Sequence, residues 1–437
     1  MNLPRRNREA AATGHPFVVC DLVQAYGPCS GGIRTYLEAK RSYVTRKLGW
    51  KHVLVVPGPR DAVVEDGNAA TYEIASPAIP STGGYRFPPR IDKVVGVLGY
   101  EAPDLIEFGT AYLMPWAALL HRRERPCAIV GHYHTDFPEA YVRPAATRLF
   151  GSRVARRMVS RAQRYAQMVY GRCDAVLTAS PLIEARLGEN GIRRIHRIRL
   201  GVDLDLFHPD RRDPALRARL GIPSKDPVLV YAGRVDAEKQ VEVVVRAMDL
   251  IPRHLRPWLL VIGNGPSLPR VRELASDRVI FLPYISERTE VARHLASSDL
   301  YVTAGPHETF GLSVLEAQAC GLPVVGVRAG ALVDRVPPEV GLLGQPGSIR
   351  DMAANIVMVL SGNRISLSRN ARELAESYSW DRTFGDLAAI YRGCIAGACS
   401  QETGSDDTVL AGARIDRQWS PLAGPVPALD SDLIAEG

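Results

Sequence analysis

The chain has 437 residues, of which 46% are hydrophobic and 23% charged, and its formal net charge is +7. This length accommodates two domains with complete cores, and no apolar run approaches the roughly 20 residues that span a bilayer. The seven cysteines are scattered without a CxxC pair, which favours reduced thiols in the cytoplasm over a disulfide or zinc framework. The basic charge favours anionic partners without identifying one.

The first half of the chain predicts a doubly wound α/β domain at residues 15–205, after a disordered N-terminus at residues 1–14. That N-terminus lacks an apolar h-region, so we expect no secretory signal. Short apolar runs alternate with helical patterns, as is typical of parallel strands covered by helices on both faces. The runs lie at residues 17–20, 52–56, 104–108, 127–131 and 174–178. Ligands of such sheets bind beyond the carboxyl ends of the strands.

A glycine-rich segment at residues 26–34 connects the first strand to a helix that we predict from Ile33. It matches neither a Walker loop nor GxGxxG. Its backbone N–H groups are suited to an anion or a sugar, which makes Gly32 a candidate donor-binding residue. A plain structural turn explains two adjacent glycines equally well.

Two histidines, His132 and His134, follow the strand at residues 127–131. Alternate histidines can bind a metal ion, but the sequence offers no evident third ligand, so we predict no metal site. A histidine at a strand end can hydrogen-bond a sugar hydroxyl, and its charge is adjustable near neutral pH. A structural role is the alternative for each of them.

Residues 141–172 form an unusually basic helical stretch with interleaved apolar residues. Such a helix can lie on an anionic membrane, or it can be a solvated helix whose apolar side packs into the domain core. Both readings remain open. The arginines are Arg143, Arg148, Arg153, Arg156, Arg157, Arg161, Arg164 and Arg172, and the apolar residues are Phe150, Val154, Met158, Tyr165 and Met168.

The second half, residues 206–377, predicts a second doubly wound domain. Gly233 and Arg234 follow a strand at residues 228–232, and Lys239 comes five residues after Arg234. Two cations on either side of a turn can converge on a pyrophosphate, although an isolated turn of this kind is often only solvated. The turn at Gly263 is GxG without the third glycine, which excludes a dinucleotide fingerprint.

Residues 305–316 connect a buried strand to a helix and carry two glutamates, Glu308 and Glu316. A helix N-terminus binds phosphate through its free N–H groups, and Gly311 allows close approach of the backbone. A carboxylate is a natural acceptor for two vicinal sugar hydroxyls. Alternatively, Glu308 merely ends the strand and Glu316 decorates an amphipathic helix.

Together these motifs resemble the signatures of the retaining family-four glycosyltransferases, over about residues 16–395. The resemblance implies the fold class: α/β, with two doubly wound Rossmann-like domains facing across a cleft (GT-B), and a return helix at about 378–396. In the inter-domain motif Leu200 replaces a common Asn. From composition, we predict that residues 398–437 are a largely disordered tail. The matching segments are Tyr133 to Pro138, Arg199 to Pro209, Gly233 to Lys239, Gly263 to Pro266 and Glu308 to Glu316.

The resemblance also implies the chemistry and the site. It indicates a retaining transfer of a hexose from a nucleoside-diphosphate sugar by a mannosyl- or glucosyltransferase that requires no cofactor and no metal. The acceptor would be a lipid or glycan at the cytoplasmic face of the membrane. The implied catalytic residues are His134, Arg234, Lys239 and Glu308. The implied donor-binding residues are Gly32, Gly233, Arg234, Lys239, Gly263, Tyr284, Glu308, Phe310, Gly311, Leu312 and Glu316.

Two alternatives stay open. A nucleotide-sugar epimerase of the same fold would turn over donor without an acceptor. A non-catalytic basic protein would bind oligonucleotides in a salt-dependent manner. The partners that we expect are a nucleotide-sugar donor, a lipid or glycan acceptor and an anionic membrane surface at Arg143–Arg172, and no nucleic acid. The motifs do not identify the nucleobase, the sugar or the acceptor.

Overall fold

The computed structural model describes residues 16–24, 26–27, 31–79, 85–87, 89–308 and 310–403. The N-terminus that we predict to be disordered, residues 1–14, lies outside the described residues. So do residues 28–30 of the glycine-rich segment, Thr309 between the two glutamates, and residues 404–437 of the predicted tail.

The N-terminal domain contains an eight-stranded sheet in the order β3-β4-β2-β1-β5-β6-β7-β8. Its strand pairs are parallel, except that the edge strand β3 runs antiparallel to β4. The central strands are short apolar runs buried on both faces, as helix-covered parallel strands require. The strands are β1 (Val18–Leu22), β2 (Lys51–Gly58), β3 (Ala62–Asp66), β4 (Ala69–Ala75), β5 (Leu105–Phe108), β6 (Ala128–His132), β7 (Ala175–Thr178) and β8 (Ile195–Arg197).

Helices cover both faces of this sheet. The predicted helix after the glycine-rich segment begins at Gly31 rather than at Ile33, so the glycines are its first residues instead of the loop before it. The helices are α1 (Gly31–Ser42), α2 (Ile91–Glu101), α3 (Met114–Glu124), α4 (Arg143–Tyr170) and α5 (Pro181–Glu189), with π-helical turns at Tyr43–Lys47 and Pro138–Val142.

The C-terminal domain contains a six-stranded, all-parallel sheet in the order β11-β10-β9-β12-β13-β14. Its strands are β9 (Val228–Ala232), β10 (Trp258–Ile262), β11 (Val279–Leu282), β12 (Leu300–Val302), β13 (Val324–Val327) and β14 (Gly341–Gly344). Its helices are α6 (Leu216–Arg219), α7 (Val241–Ala247), α8 (Leu268–Glu273), α9 (Arg288–Ala296), α10 (Leu312–Ala319), α11 (Leu332–Arg335), α12 (Ile349–Ser361) and α13 (Arg364–Glu376). The predicted fold class, two doubly wound parallel-sheet domains, is confirmed.

Each sheet reverses its strand order once. In the first sheet β1 lies between β2 and β5, and in the second β9 lies between β10 and β12. Successive connections leave such a point toward opposite faces, which opens a crevice at the carboxyl ends of the strands. The glycine-rich segment follows β1, whereas the loops at Gly233 and Glu308 follow β9 and β12. The topology therefore places both sets of predicted residues at these crevices.

The last described helix, α14 (Trp380–Thr403), returns to the N-terminal domain. Its Trp380 and Phe384 rings stack at 5.2 Å, and Phe384 packs 5.8 Å from Tyr36 of α1. The helix does not end near residue 396, so residues 398–403, assigned to the tail by composition, are helical. Each residue added to the end of an existing helix gains one backbone hydrogen bond, so a helix can continue into residues whose composition does not suggest it.

Candidate active site

Two loops at the crevice of the second sheet bring the predicted cations and one predicted carboxylate together. Gly233 and Arg234 follow β9, and Glu308 follows β12, the neighbouring strand. Lys239 Nζ donates to Glu308 Oε2 at 2.7 Å. Residues 69 positions apart in the chain thus form one ion pair because β9 and β12 are adjacent.

Carboxylates surround the two cations. Arg234 lies 3.2 Å from Asp236 and 3.3 Å from Glu238, and Lys239 Nζ lies 3.7 Å from Glu238. Burial acts to lower the pKa of Lys239, but the charges of Glu308 and Glu238 outweigh it and raise the pKa above its usual range. Burial likewise acts to raise the pKa of Glu308, and Lys239 lowers it overall. Both partners are therefore charged at neutral pH.

The predicted glycines Gly233 and Gly263 touch through their backbones. Gly263 has φ 142°, and a Cβ there would lie 1.9 Å from the Gly233 carbonyl oxygen. Only glycine fits this approach. The turn after β10 is thereby pressed against the loop that carries Arg234.

The N-terminus of α10 adjoins Glu308. Its N-cap Gly311 has φ 79°, and its N–H donates to Glu308 Oε1 at 3.3 Å. Leu312 begins the helix. Phe310 is buried and faces the guanidinium of Arg335 at 4.2 Å, a contact that supports the loop from behind. The free N–H groups of α10 and the Lys239–Glu308 pair therefore lie side by side.

Glu316 is the fifth residue of α10, at the start of the second turn of the helix. Burial raises its pKa, and Arg288, whose guanidinium donates to Oε1 at 2.8 Å, partly offsets that rise. Tyr284 is 42% exposed just after the end of β11.

On the opposite domain, His134 lies just beyond β6. Its ring stacks on His132 at 3.7 Å, and Tyr36 packs edge-on against it at 5.6 Å. Burial lowers the pKa of His134 well below its usual value, and the neighbouring His132 makes a second, smaller contribution in the same direction. A neutral imidazole therefore faces a small pocket that Asp21, Glu107 and Thr110 also line.

Beneath these histidines lies a buried charge network that the sequence did not reveal. Lys40 donates to Asp21 at 2.7 Å and lies 3.2 Å from Glu107. His52 and Asp21 are 2.6 Å apart, and Tyr391 of α14 donates to Glu107. One feature of the sequence could have indicated this network: Glu107 is a carboxylate inside the otherwise apolar run Leu105–Phe108. An ionised side chain in such a strand needs a buried partner.

Glu107, His132 and His134 present ligand atoms within 4.8 Å of one another. The sequence offered no evident third ligand beside the two histidines, and the fold supplies Glu107 as one. Two observations argue against an ion there. Glu107 already pairs with buried Lys40, and a metal lies in the plane of each imidazole that binds it, whereas these two rings are stacked with 27° between their planes.

The two domains meet along the cleft. A Cβ on Gly32 would lie 3.9 Å from Leu312 Cδ2, which brings two predicted donor-binding residues together. Arg288 donates to Thr35 at 2.8 Å, and the Tyr141 hydroxyl lies 3.4 Å from Glu238. His134 belongs to the N-terminal domain, whereas Lys239 and Glu308 belong to the C-terminal domain.

Sequence reasoning missed Arg288, Arg335 and Glu238. Glu238 stands inside the Gly233–Lys239 motif, so its position was available as a signal. Arg335 is 5% exposed and lies 4.2 Å from both the Phe310 and Tyr378 rings. Neither Arg335 nor Arg288 lies in a motif, and only the fold brings them to the site.

The basic stretch forms α4, which is interrupted at Gly151 (φ 76°, ψ 169°). Its buried side consists mainly of alanines and valines, such as Ala155 and Val159. Leu149 and Phe150 are 71% and 58% exposed beside the interruption. Both side chains therefore face outward, and the alternative that the interleaved apolar residues pack into the core is wrong for Phe150. Among the described helices none combines the length and hydropathy of a bilayer crossing.

Two facing α/β domains of this kind are the architecture of GT-B glycosyltransferases. The fold is similar to that of sucrose-phosphate synthase from Thermosynechococcus elongatus, with a TM-score of 0.71 at 23% identity over 87% of this chain and 99% of that chain. Residues 30–206 match the model described as Glycosyltransferase Family 4, and residues 213–377 match Glycosyl transferases group 1.

The chain belongs to the family-four glycosyltransferases. It is 30% identical over 405 residues to the GDP-mannose-dependent alpha-(1-6)-phosphatidylinositol dimannoside mannosyltransferase of Mycobacterium tuberculosis, across 89% of this chain and 98% of that protein. It is 26% identical to the GDP-mannose-dependent alpha-mannosyltransferase of Corynebacterium glutamicum, across 87% and 90% of the two chains. The predicted family and activity class, a hexosyltransferase that uses a nucleotide sugar, are confirmed.

Proposed function

We propose that this enzyme transfers mannose from GDP-mannose, with retention of configuration, to a lipid-anchored acceptor at the cytoplasmic face of the membrane. The names of two relatives that align over most of this chain specify GDP-mannose as their donor. The observation that carries the proposal is the Lys239–Glu308 pair at 2.7 Å, with Arg234 beside it at the crevice of the second sheet.

The charges set the direction of the chemistry. As the bond between the sugar carbon and the phosphate oxygen breaks, negative charge builds on GDP and positive charge on the sugar ring. Arg234, Lys239 and the N–H groups that begin α10 stabilise the leaving diphosphate. The acceptor oxygen bonds to the same carbon on the same face, and its proton passes to the leaving phosphate oxygen.

The remaining residues hold the donor. Glu308 accepts hydrogen bonds from hydroxyls of the transferred sugar, and Glu316 accepts them from the ribose. Neutral His134 hydrogen-bonds the sugar from the N-terminal domain, so closure of the cleft completes the site. In this scheme the two cations take the charge-stabilising role of a divalent ion, and transfer requires no metal.

The donor and the stereochemistry have one direct test. The purified chain is incubated in EDTA with GDP-mannose and a membrane extract, and the anomeric configuration of the product is read by NMR. We expect an α-mannoside, with UDP-glucose inactive as a donor. A β-product, loss of activity in EDTA, or mannose epimerised in the absence of acceptor would each contradict the proposal.

The outward face of α4 supports membrane attachment. Leu149 and Phe150 protrude at the interruption of the helix, and arginines such as Arg153 and Arg157 are exposed beside them. Exposed apolar side chains with a basic surround are the pattern of an interfacial helix on anionic lipid. The free thiols of the described cysteines fit a reducing compartment.

Vesicle sedimentation tests this attachment. Wild type should sediment with vesicles containing anionic phosphatidylinositol and not with neutral phosphatidylcholine, whereas Leu149→Ser with Phe150→Ser should remain in the supernatant. Ile365, which is 84% exposed on α13, offers the control Ile365→Ser. Equal sedimentation of the double variant and the control would contradict the assignment of α4 as the membrane surface.

A further inference from the structure

Arg288 connects the donor side of the cleft to the N-terminal domain. One terminal nitrogen of its guanidinium donates to Glu316 Oε1 and the other to Thr35 Oγ1, each at 2.8 Å. Glu316 belongs to α10 in the C-terminal domain and Thr35 to α1 in the N-terminal domain. One side chain therefore bridges the two domains through a residue of the donor site.

The position of this guanidinium is fixed by a third contact. Its central carbon lies 5.0 Å from the centroid of Phe207, a fully buried ring in the segment between the domains. The attraction of a cation for a ring face and the rigid fork of arginine hold both donors in place. A small displacement of Glu316 or Thr35 therefore breaks one of the two hydrogen bonds.

Arg288 also balances the charge of Glu316. Among the described residues, the titratable and charged groups that act on or face Glu316 are Arg288 from α9, Tyr301 from β12 and Cys320 after α10. Burial raises the pKa of Cys320 to about 12 and also raises the pKa of Tyr301, so both are neutral at neutral pH. Without Arg288, Glu316 would be a buried carboxylate lacking a counter-charge, and its pKa would rise.

We propose that Arg288 is a positioning residue of the donor site: it keeps Glu316 ionised for the ribose and links occupancy of that pocket to contact with Thr35. The inference rests on the proposed function, because it takes Glu316 as the ribose acceptor. It separates two roles, charge balance toward Glu316 and a domain link toward Thr35. Each role has its own variant and its own measurement.

GDP affinity against pH, measured by calorimetry on the full chain, tests the charge role. Arg288→Ala should weaken GDP binding about tenfold, the cost of one charged hydrogen bond. The loss of affinity on acidification should also begin at a higher pH, because Glu316 protonates sooner. Arg288→Lys keeps the charge, so its GDP affinity should fall over the same acidic pH range as that of the wild type; we call this part of the pH profile the acid limb. Arg293, paired with Glu290 on the same helix at 3.1 Å, provides the control Arg293→Ala.

Steady-state kinetics test the domain link. Thr35→Val keeps the shape and removes the hydroxyl, so it should lower kcat about fivefold while leaving the GDP acid limb unchanged. In the Arg288→Ala background the same substitution should have no further effect. Arg288→Lys and Thr35→Val carry the test if circular dichroism shows Arg288→Ala to be unfolded.

Three results would overturn the inference: Arg288→Ala binding GDP like Arg293→Ala, an acid limb that does not move, or additive effects of Thr35→Val and Arg288→Ala. A wild-type chain that does not bind GDP at all would overturn the proposed function instead. The two failures are therefore distinguishable.

Discussion

At the scale of residues, the site is a cluster of oppositely charged side chains that pair with one another. Lys239 pairs with Glu308, and Arg234 pairs with Asp236 and Glu238. In the proposed mechanism, the oxygens of a bound diphosphate pair with both cations and release Glu308 toward the sugar. The ion pair thus keeps both groups desolvated and oriented before the substrate arrives.

Lys239→Ala should lower kcat/KM for mannosyl transfer on the order of 100-fold, because it removes one donor that stabilises the leaving diphosphate. Initial rates with labelled GDP-mannose measure the loss, and thermal unfolding checks the fold. Lys225 is exposed in the same domain, so Lys225→Ala is the matched control. Equal rates for the two variants would remove Lys239 from the mechanism.

The motifs predicted the residues that local sequence can reveal, and missed those that only the fold brings together. Lys239 and Glu308 each stand in a recognisable strand-end loop, so both were predicted. Arg288 meets Thr35 across 253 positions. No local pattern encodes such a pairing, because it depends on how the two domains face each other.

At the scale of elements, α14 ties the end of the described chain to the acceptor side of the cleft. Its Tyr391 donates to Glu107, which in turn lies 3.4 Å from His132, the ring stacked on His134. The return helix therefore reaches the proposed sugar-binding histidine through two intermediate residues.

Tyr391→Phe should destabilise the protein by about 1–3 kcal/mol, since it removes a hydrogen bond to a buried carboxylate. Urea unfolding monitored by circular dichroism measures the change. Tyr43 packs on Phe384 of the same helix at 5.6 Å, so Tyr43→Phe serves as the comparison. A loss no greater than that of Tyr43→Phe would show that the Glu107 contact contributes little.

The helix α4 illustrates what the sequence left open at this scale. The pattern of arginines and apolar residues fitted both a membrane surface and a core-facing helix. Leu149 and Phe150, which stand beside the interruption at Gly151, are exposed, so neither side chain packs into the core. A φ of 76° at one glycine is not readable from periodicity.

At the scale of the whole molecule, both sheets were predictable because fully buried strands leave continuous apolar runs in the sequence. The strand order was not, since neighbouring strands such as β9 and β12 are separated by two further strands in the chain. The cleft depends on that order. Its general place followed from the family resemblance, whereas its contacts required the structure.

Stability should fall as the pH drops below about 6.5, the unperturbed pKa of histidine. Burial lowers the pKa values of His52, His121 and His134. Below pH 6.5 the unfolded chain therefore binds protons that the folded chain does not, and the free energy of unfolding decreases. The slope is about 1.4 kcal/mol per pH unit for each such histidine.

Urea midpoints at pH 7.5 and pH 5.5 measure this slope. A midpoint at pH 5.5 equal to or above that at pH 7.5 would mean that these three histidines do not carry the pH dependence.

The central claim is that a nucleoside diphosphate binds between the two domains on Arg234 and Lys239 without a divalent ion. A crystal structure of the chain with GDP, grown in EDTA, tests it most directly. The account predicts diphosphate oxygens within hydrogen-bond distance of Arg234 and Lys239, and ribose hydroxyls on Glu316. GDP bound elsewhere, or bound only when magnesium is supplied, would contradict it.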